Sequence, residues 1–249
     1  MIVPYQDYTE LVLKAQKDLD YRLNVVDRGA DYTITAIHGG GIDPLTSELA
    51  AAIAGEEYNL YDFRGIRPQG NEELRIPAHR FDEMRLRQLL RHSRLAVSVL
   101  GVEGTEEVVH LGGRNRRLVR ILRQRLTEAG FVVRGPLGPG AAHDPTRFVN
   151  WPAEGGVQLE LTRALRQKMV TGPLADFLWE DAQRWNELFG AFTVVVRGAL
   201  MEYQAQMRAD LGVALRRFEE TTPKVRKALG LEPDERDNGG SSPCLKGHN

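Results

Sequence analysis

The sequence predicts an α/β protein in which a mixed, mostly parallel sheet is flanked by helices. Short apolar, β-branched segments alternate with segments of helical periodicity as far as residue 162. Residues 95–102 are almost wholly apolar, which is typical of an interior strand covered on both faces. From residue 174 onward the pattern becomes helical. We therefore expect an α/β core followed by a C-terminal helical extension.

The predicted elements follow one another in this alternation. Strands are predicted over residues 21–29, 31–37, 57–66, 95–102, 131–135 and 156–162, with a short strand-like piece near residue 110. Helices are predicted over residues 7–18, 49–54 and 81–93, followed by a basic helix that Gly130 closes. Residues 136–156 are rich in Pro and Gly, and a long loop of this kind inside a compact domain is often functional.

Composition narrows the class of protein. The chain has 249 residues, of which 42% are hydrophobic, so it is large enough for one sizeable core. Its formal charge of −1 shows no overall attraction to nucleic acid or membrane. No apolar run is long enough to span a bilayer, and the first residues do not resemble a signal peptide, so we predict a cytoplasmic protein without a membrane partner. Cys244 is the single cysteine, which excludes an intramolecular disulfide.

The basic helix invites a phosphate-binding interpretation. Its arginines are Arg114, Arg116, Arg117, Arg120, Arg123 and Arg125. No aromatic residues are interleaved for base stacking, which favours a solvated helix face over nucleic-acid recognition.

The segment 37–55 is the most specific stretch of the chain. It places His38 at the carboxyl end of a predicted strand, where ligands usually bind in open α/β sheets, and three glycines follow at once. Two interpretations of Asp43 stay open. With Pro44 behind it, Asp43 forms a good helix N-cap. Alternatively, His38 and Asp43 converge on a divalent metal, with Glu48 as a further candidate carboxylate.

The strand at residues 156–162 carries an acidic side chain among apolar neighbours. Burying a charged Glu160 is costly without a partner. The residue is therefore either ion-paired, with Arg163 or Arg166, or a pocket carboxylate.

Five blocks of the chain, in order, resemble the poly-gamma-glutamate hydrolase family. They are HGGGIDPLTSELAAAIAG, LRIPAHRFDE, VVHLGGRN, GVQLELTRALR and FGAFTVVVRGAL. The similarity covers about residues 5 to 204 and implies a carboxypeptidase-like (phosphorylase/hydrolase-like) core. We accordingly divide the chain into a hydrolase-like α/β domain at residues 1–204, a helical extension at 205–230 and a disordered tail at 231–249.

The resemblance also implies a zinc site. It assigns His38 as the first ligand and Asp43 as the second, where the family usually has Glu. The third ligand would be a histidine at the end of a later strand, but this chain has Leu100 there. Arg75 likewise replaces a usual histidine, and His110 is a candidate substitute for the missing ligand.

The same resemblance implies a hydrolytic role. Glu160 corresponds to the general base of a zinc-dependent amidohydrolase that acts on gamma-glutamyl or related acidic amides. Acidic peptide or polymer substrates need polar partners, for which we propose Arg147, Asn150, Arg163 and Arg166.

The alternative hypothesis is a metal-free relative that serves as a binding or regulatory module. It is motivated by Leu100, Asp43 and Arg75 together and by the C-terminal helices. An apolar stripe on those helices, formed by Leu211, Leu215 and Phe218, predicts a protein partner or a homo-oligomer.

Overall fold

The computed structural model describes residues 5–138, 144–174 and 184–228. Its strands are β1 (Tyr21–Val26), β2 (Tyr32–Gly40), β3 (Asn59–Gly65), β4 (Leu95–Val102), β5 (Val108–Gly112), β6 (Val132–Arg134) and β7 (Gly156–Thr162). Its α-helices are α1 (Tyr8–Lys14), α2 (Thr46–Ala54), α3 (Met84–His92), α4 (Arg116–Glu128), α5 (Arg163–Lys168) and α6 (Glu187–Ala228). Short 3-10 helices cover Asn71–Leu74, Ala78–Arg80 and Phe148–Asn150.

The strands form one seven-stranded sheet in the order β1-β3-β2-β4-β7-β5-β6. The central strands β3, β2, β4 and β7 run parallel to their neighbours within this group. Toward the edges, β1 is antiparallel to β3 and β5 is antiparallel to β7. The predicted α/β fold with a mixed, mostly parallel sheet is confirmed.

The middle of the sheet is covered on both faces. All residues of β2 and β7 are buried, and β4 is buried except for Val102, which is partly exposed. Strands buried on both faces need nearly continuous apolar sequence, which explains why residues 95–102 lack a polar alternation. An aromatic cluster that includes Tyr61, Phe63 and Phe81 fills the core beside these strands.

The chain reverses direction across the sheet at β2. From β2 it passes through α2 to β3 on one side, and later returns to β4 on the other side of β2. The carboxyl ends of β2 and β4 therefore flank a topological switch point, the usual position of a ligand crevice in an open α/β sheet.

The turn after β2 depends on glycine. Gly40 has a φ of +60°, and a Cβ atom there would lie 2.3 Å from the carbonyl oxygen of Gly65 on the neighbouring strand. The helix that follows begins at Thr46, and its N-cap residue, Leu45, has no side-chain capping bond. The interpretation of Asp43 as the N-cap is therefore wrong, because its carboxylate has longer-range partners.

The chain divides into two compact units at Tyr203 and Gln204. The first unit contains the sheet and the beginning of α6, where Phe192, Val196 and Leu200 are fully buried. The second unit contains the rest of α6, as far as Ala228. The predicted tail at residues 231–249 lies outside the described residues. In the part of the chain that the structure describes, no helix is long and apolar enough to cross a membrane.

Candidate functional site

A cavity of about 310 Å³ opens at the carboxyl ends of β2, β4 and β7. Its remaining walls come from the segment after β3 and from the loop before β7. The lining residues are His38, Arg75, Pro77, Ala78, His79, Leu100, Gly101, Val102, Arg147, Gln158 and Glu160. The cavity therefore brings together His38 and Glu160, which the sequence analysis had assigned to one site.

His38 is held in a defined orientation at the base of this cavity. Its ring is buried, its Nε2 lies 2.7 Å from the carbonyl oxygen of Ile76, and its Nδ1 lies 3.3 Å from Nη1 of Arg75. Burial and the charge of Arg75 lower the pKa of His38 to about 4. The imidazole is therefore neutral near pH 7. Its partners assign the proton to Nε2 and leave the Nδ1 lone pair to accept from Arg75.

Asp43 is buried beside His38. Its Oδ1 accepts a hydrogen bond from Nη2 of Arg75, and its Oδ2 accepts one from the backbone N–H of Gly101 at 3.2 Å. This approach requires glycine, because a Cβ atom at Gly101 would lie 2.6 Å from the Cβ of Asp43. The carboxylate is thus fixed between the end of β4 and the guanidinium of Arg75.

These residues do not fit a zinc ion. The Nδ1 of His38 and the Oδ2 of Asp43 lie 3.7 Å apart and are suitable donors, but a zinc site normally needs a third. Leu100 offers none, the guanidinium of Arg75 already contacts Nδ1 of His38 and Oδ1 of Asp43, and Oδ2 of Asp43 accepts from the N–H of Gly101. Among the described residues, no group of three or more His, Cys, Asp or Glu side chains is arranged to hold a metal.

Glu160 lies in the same cavity on β7. Its Oε1 accepts from the amide of Gln158, and its Oε2 accepts from the backbone N–H of Leu137 at 3.4 Å. Burial raises the pKa of Glu160, while these hydrogen bonds and nearby Arg147 oppose that shift. Of the two alternatives for this residue, the geometry supports a cavity carboxylate.

Arginine dominates the charge of the cavity walls. Arg147 donates from Nη1 to Oε1 of Gln158 at 3.1 Å, and Arg75 stands on the opposite side beside His38. Both guanidinium groups have a buried Nε–H that donates no hydrogen bond to any described residue. Two arginines therefore face a cavity in which Glu160 is the single carboxylate among the described lining residues.

The other predicted substrate-binding residues do not line this cavity. Arg163 is exposed at the start of α5, 3.9 Å from Glu103. Arg166 is fully buried, and its Nη1 donates to the carbonyl of Pro44 at 2.8 Å. Asn150 is buried, and its amide bonds to backbone groups at 2.9 and 3.2 Å. Arg166 and Asn150 thus support the framework around the cavity.

Two further metal candidates lie apart from the histidine–aspartate pair. His110 is opposite Glu160 in the sheet, but its Nδ1 lies 3.0 Å from the carbonyl of Gly135 and it lines a second cavity of about 270 Å³. Glu48 is buried on α2, 3.9 Å from Arg64, and neither of its oxygens accepts a hydrogen bond within the described residues. Burial raises the pKa of Glu48 to about 7.

Sequence reasoning missed two features of the site. It named Arg75 and Leu100 together as departures from the family pattern but did not expect the guanidinium of Arg75 to contact His38 and Asp43, for which a new cation in a chain that has lost a ligand was the available signal. It also gave no role to Gln158, which shares a face of β7 with Glu160 because strand residues two apart point to the same side.

The fold and the cavity define an α/β protein with a mixed seven-stranded sheet and a strand-end cavity. The chain belongs to the poly-gamma-glutamate hydrolase family, whose model matches residues 5–194. The predicted resemblance is confirmed. Membership in this family supports a hydrolase activity in general.

Known relatives agree with this assignment. UPF0714 protein YndL of Bacillus subtilis is 32% identical over 196 residues, which span 77% of this chain and 75% of YndL. A solved zinc-free apo form of YndL is similar in structure, with a TM-score of 0.73, 28% identity, and coverage of 80% of this chain and 98% of that one. A bacteriophage poly-gamma-glutamate hydrolase shares the fold, with a TM-score of 0.77, 24% identity, and coverage of 82% and 100%.

Proposed function

We propose that this chain binds an acidic gamma-glutamyl peptide or polymer in its strand-end cavity without a metal ion. The observation that carries the proposal is the guanidinium of Arg75, which contacts His38 and Asp43 together. A guanidinium is always protonated in proteins, so it provides a permanent positive charge at this position. Its Nε–H has no acceptor among the described residues and is the donor left for an anionic ligand.

The charge of the cavity supports an acidic ligand. Of the described lining residues, Arg75 and Arg147 carry guanidinium groups and Glu160 a carboxylate; Arg75 is also paired with Asp43, so Arg147 supplies the guanidinium without a carboxylate partner of its own. Guanidinium groups bind carboxylates through charge-assisted hydrogen bonds. Each gamma-glutamyl unit presents one free carboxylate. A cavity of about 310 Å³ is small for a ligand site, so it suits a unit or two of a polymer better than a long segment.

The test is a binding titration with a short fluorescent gamma-glutamyl oligomer in the presence of EDTA. We expect saturable binding that EDTA leaves unchanged. Arg147→Ala should weaken it by about 10- to 150-fold, since one charge-assisted contact is worth roughly 1.5–3 kcal/mol. Arg163→Ala is the matched control, because it removes an equal charge that is exposed outside the cavity.

Three outcomes would contradict the proposal. One is the absence of binding by the wild-type chain. Another is binding that EDTA abolishes, which would indicate a metal site, and the third is an equal loss of binding in Arg163→Ala and Arg147→Ala, which would indicate non-specific surface attraction.

A second candidate function is hydrolysis of the same amide bonds. It is favoured by Glu160, whose carboxylate lies in the cavity with a pKa raised by burial, which makes it a stronger base toward water than an exposed carboxylate. The family assignment and the description of a zinc-free form of YndL are consistent with such chemistry in relatives.

Release of new amino groups from the oligomer distinguishes the two candidates. Turnover by the wild-type chain that Glu160→Gln abolishes would favour hydrolysis. Binding without turnover, with or without added zinc, would favour the metal-independent binding protein.

A further inference from the structure

A second cavity, of about 300 Å³, lies beside α3 in the same compact unit as the strand-end cavity. Its described lining residues are Arg87, Leu90, Arg91 and Trp151, and none of them is acidic. Leu90 is buried and supplies an apolar surface, whereas both arginines are exposed. We name this cavity the α3 groove. It combines positive charge with apolar and aromatic walls.

The aromatic wall of the α3 groove orients one of its arginines. The Cζ atom of Arg87 lies 5.1 Å from the centre of the Trp151 ring, which is a cation–π contact. The Nε1 of Trp151 donates to the carbonyl of Thr146 at 3.3 Å and thereby fixes the ring. A guanidinium group that lies over a ring still directs its N–H donors outward from its edge. Arg87 is therefore positioned to bind an anion.

The exposed surface of α3 is basic. Residues 84–92, MRLRQLLRH, contain three arginines and no acidic residue. Arg87 and Arg91 are four positions apart, so their like charges are neighbours on one face of the helix and repel each other. Arg94, just beyond the helix, pairs with Glu154, but neither groove arginine pairs with an acidic residue in the part of the chain that the structure describes. An anion between Arg87 and Arg91 would relieve this repulsion.

The α3 groove follows the strand-end cavity along both of its walls. On one wall, Arg147 lines the strand-end cavity and Trp151 lines the groove, with the short 3-10 helix Phe148–Asn150 between them. At 2.0 Å per residue, the four positions from Arg147 to Trp151 span roughly 8 Å. On the other wall, His79 lines the strand-end cavity and α3 begins soon after it, at Met84. A ligand that extends from the strand-end cavity past Arg147 therefore comes to the groove.

The chemistry of the α3 groove matches a gamma-glutamyl chain. Each unit of such a chain carries a free carboxylate, and its methylene groups lie in the main chain. Guanidinium groups bind carboxylates, and methylene groups pack against apolar surfaces such as Leu90 and Trp151. A single-stranded nucleic acid would instead stack successive bases on several rings. The groove has a single described ring, over which Arg87 already lies.

We propose that the α3 groove is a second binding site, which takes the units of an acidic gamma-glutamyl polymer that extend beyond the strand-end cavity. This inference rests on the proposed binding of the same polymer in the strand-end cavity. Two linked sites raise the affinity for a chain that occupies both, because binding at one site holds the chain near the other. A short oligomer gains nothing from the groove, so the protein distinguishes polymer from short fragments.

Binding of short and long chains separates the contributions of the two sites. Chains of about two and about twenty gamma-glutamyl units are titrated into the full-length protein in the presence of EDTA. We expect Arg87→Ala with Arg91→Ala to weaken binding of the long chain about tenfold and to leave the affinity for the short chain within about twofold.

The matched control is Arg116→Ala with Arg120→Ala. It removes exposed arginines at the same spacing from α4, and neither of them lines the α3 groove or the strand-end cavity. This control should leave both affinities within about twofold of the wild-type values, although it removes the same charge.

The outcomes separate this inference from the proposed function. An unchanged long-chain affinity in the variant with Arg87→Ala and Arg91→Ala, or an equal loss in the α4 control, would overturn the groove as a site. Absence of short-chain binding to the wild-type protein would instead contradict the strand-end cavity. Tighter binding of a single-stranded oligonucleotide of equal charge, with the same dependence on Arg87 and Arg91, would overturn the choice of ligand.

Fluorescence of Trp151 provides an independent measurement of where the long chain lies. The long chain should change the emission, because a carboxylate bound to Arg87 alters the charge beside the ring. Trp151→Phe should remove this change while keeping a ring beneath Arg87. The short chain should leave the emission unchanged. An equal change with the short chain would place that chain in the groove and overturn a site for the extending units.

Discussion

Replacement of Arg75 by methionine tests whether its guanidinium neutralises the centre of the cavity. Removing one member of a buried ion pair typically costs about 3–5 kcal/mol, because the other charge is left without a partner. The side chain of Asp43 is 5% exposed and that of Arg75 is 25% exposed, so solvent screens this pair partly. Asp43 also keeps the N–H of Gly101. We therefore expect Arg75→Met to lower the free energy of unfolding by about 2–3 kcal/mol.

A double-mutant cycle isolates the pair itself. Asp43→Asn removes the charge that Arg75→Met would leave buried, so the double variant should be more stable than the sum of the single effects by about 1–2 kcal/mol. Urea unfolding at neutral pH measures each free energy. Arg163→Met is the control for loss of an exposed arginine.

One contrary result is a free energy of unfolding of Arg75→Met within about 0.5 kcal/mol of the wild-type value, which is the range of ordinary surface substitutions. The other is that the effects of Arg75→Met and Asp43→Asn on the free energy of unfolding are additive. Either result would mean that Asp43 and Arg75 do not stabilise each other.

Three further predictions concern the same half of the molecule. A triple variant with Arg75→His, Leu100→His and Asp43→Glu should bind stoichiometric zinc on metal analysis, whereas wild-type protein loaded in the same way should not. Stoichiometric zinc in the wild-type protein would contradict the conclusion that its cavity residues do not fit the ion. Burial raises the pKa of Glu48 from its ordinary 4.5 to about 7. The contribution of its protonation to the free energy of unfolding is therefore fully present below pH 4.5 and is lost as the pH rises to about 7. Glu48→Gln should therefore raise the unfolding free energy at about pH 8 by up to roughly 3 kcal/mol, with no gain below the ordinary pKa in matched urea titrations. Gly101→Ala should cost about 2 kcal/mol or more in urea unfolding, because its Cβ would overlap Asp43; an unchanged midpoint would contradict the observed close contact.

The fold could be predicted because its signals are local and periodic. Residues 95–102 lie in a strand buried on both faces, and that environment selects an unbroken apolar run. Parallel strands also bring their carboxyl ends to one edge, so His38 and Glu160 could be assigned to one cavity without knowing the path of the loops.

The centre of the site could not be predicted in this way. Asp43 followed by Pro44 satisfies the local rule for an N-cap, but its carboxylate instead binds Gly101 and Arg75, both distant in sequence. The position of Arg75 depends on an irregular segment between β3 and α3, which has no periodicity from which a direction could be derived. Long-range charge pairing therefore overrode a local capping preference.

The contact of one guanidinium with two side chains also constrains how this cavity could change over time. A histidine in place of Leu100 alone would meet a guanidinium already seated beside His38 and Asp43. Loss of Arg75 alone would leave the buried carboxylate of Asp43 with the N–H of Gly101 but without a compensating charge. Each single substitution toward a metal centre is thus unfavourable, although both together are expected to allow a metal to bind. Positions 75 and 100 therefore have to change together for this cavity to gain a metal site.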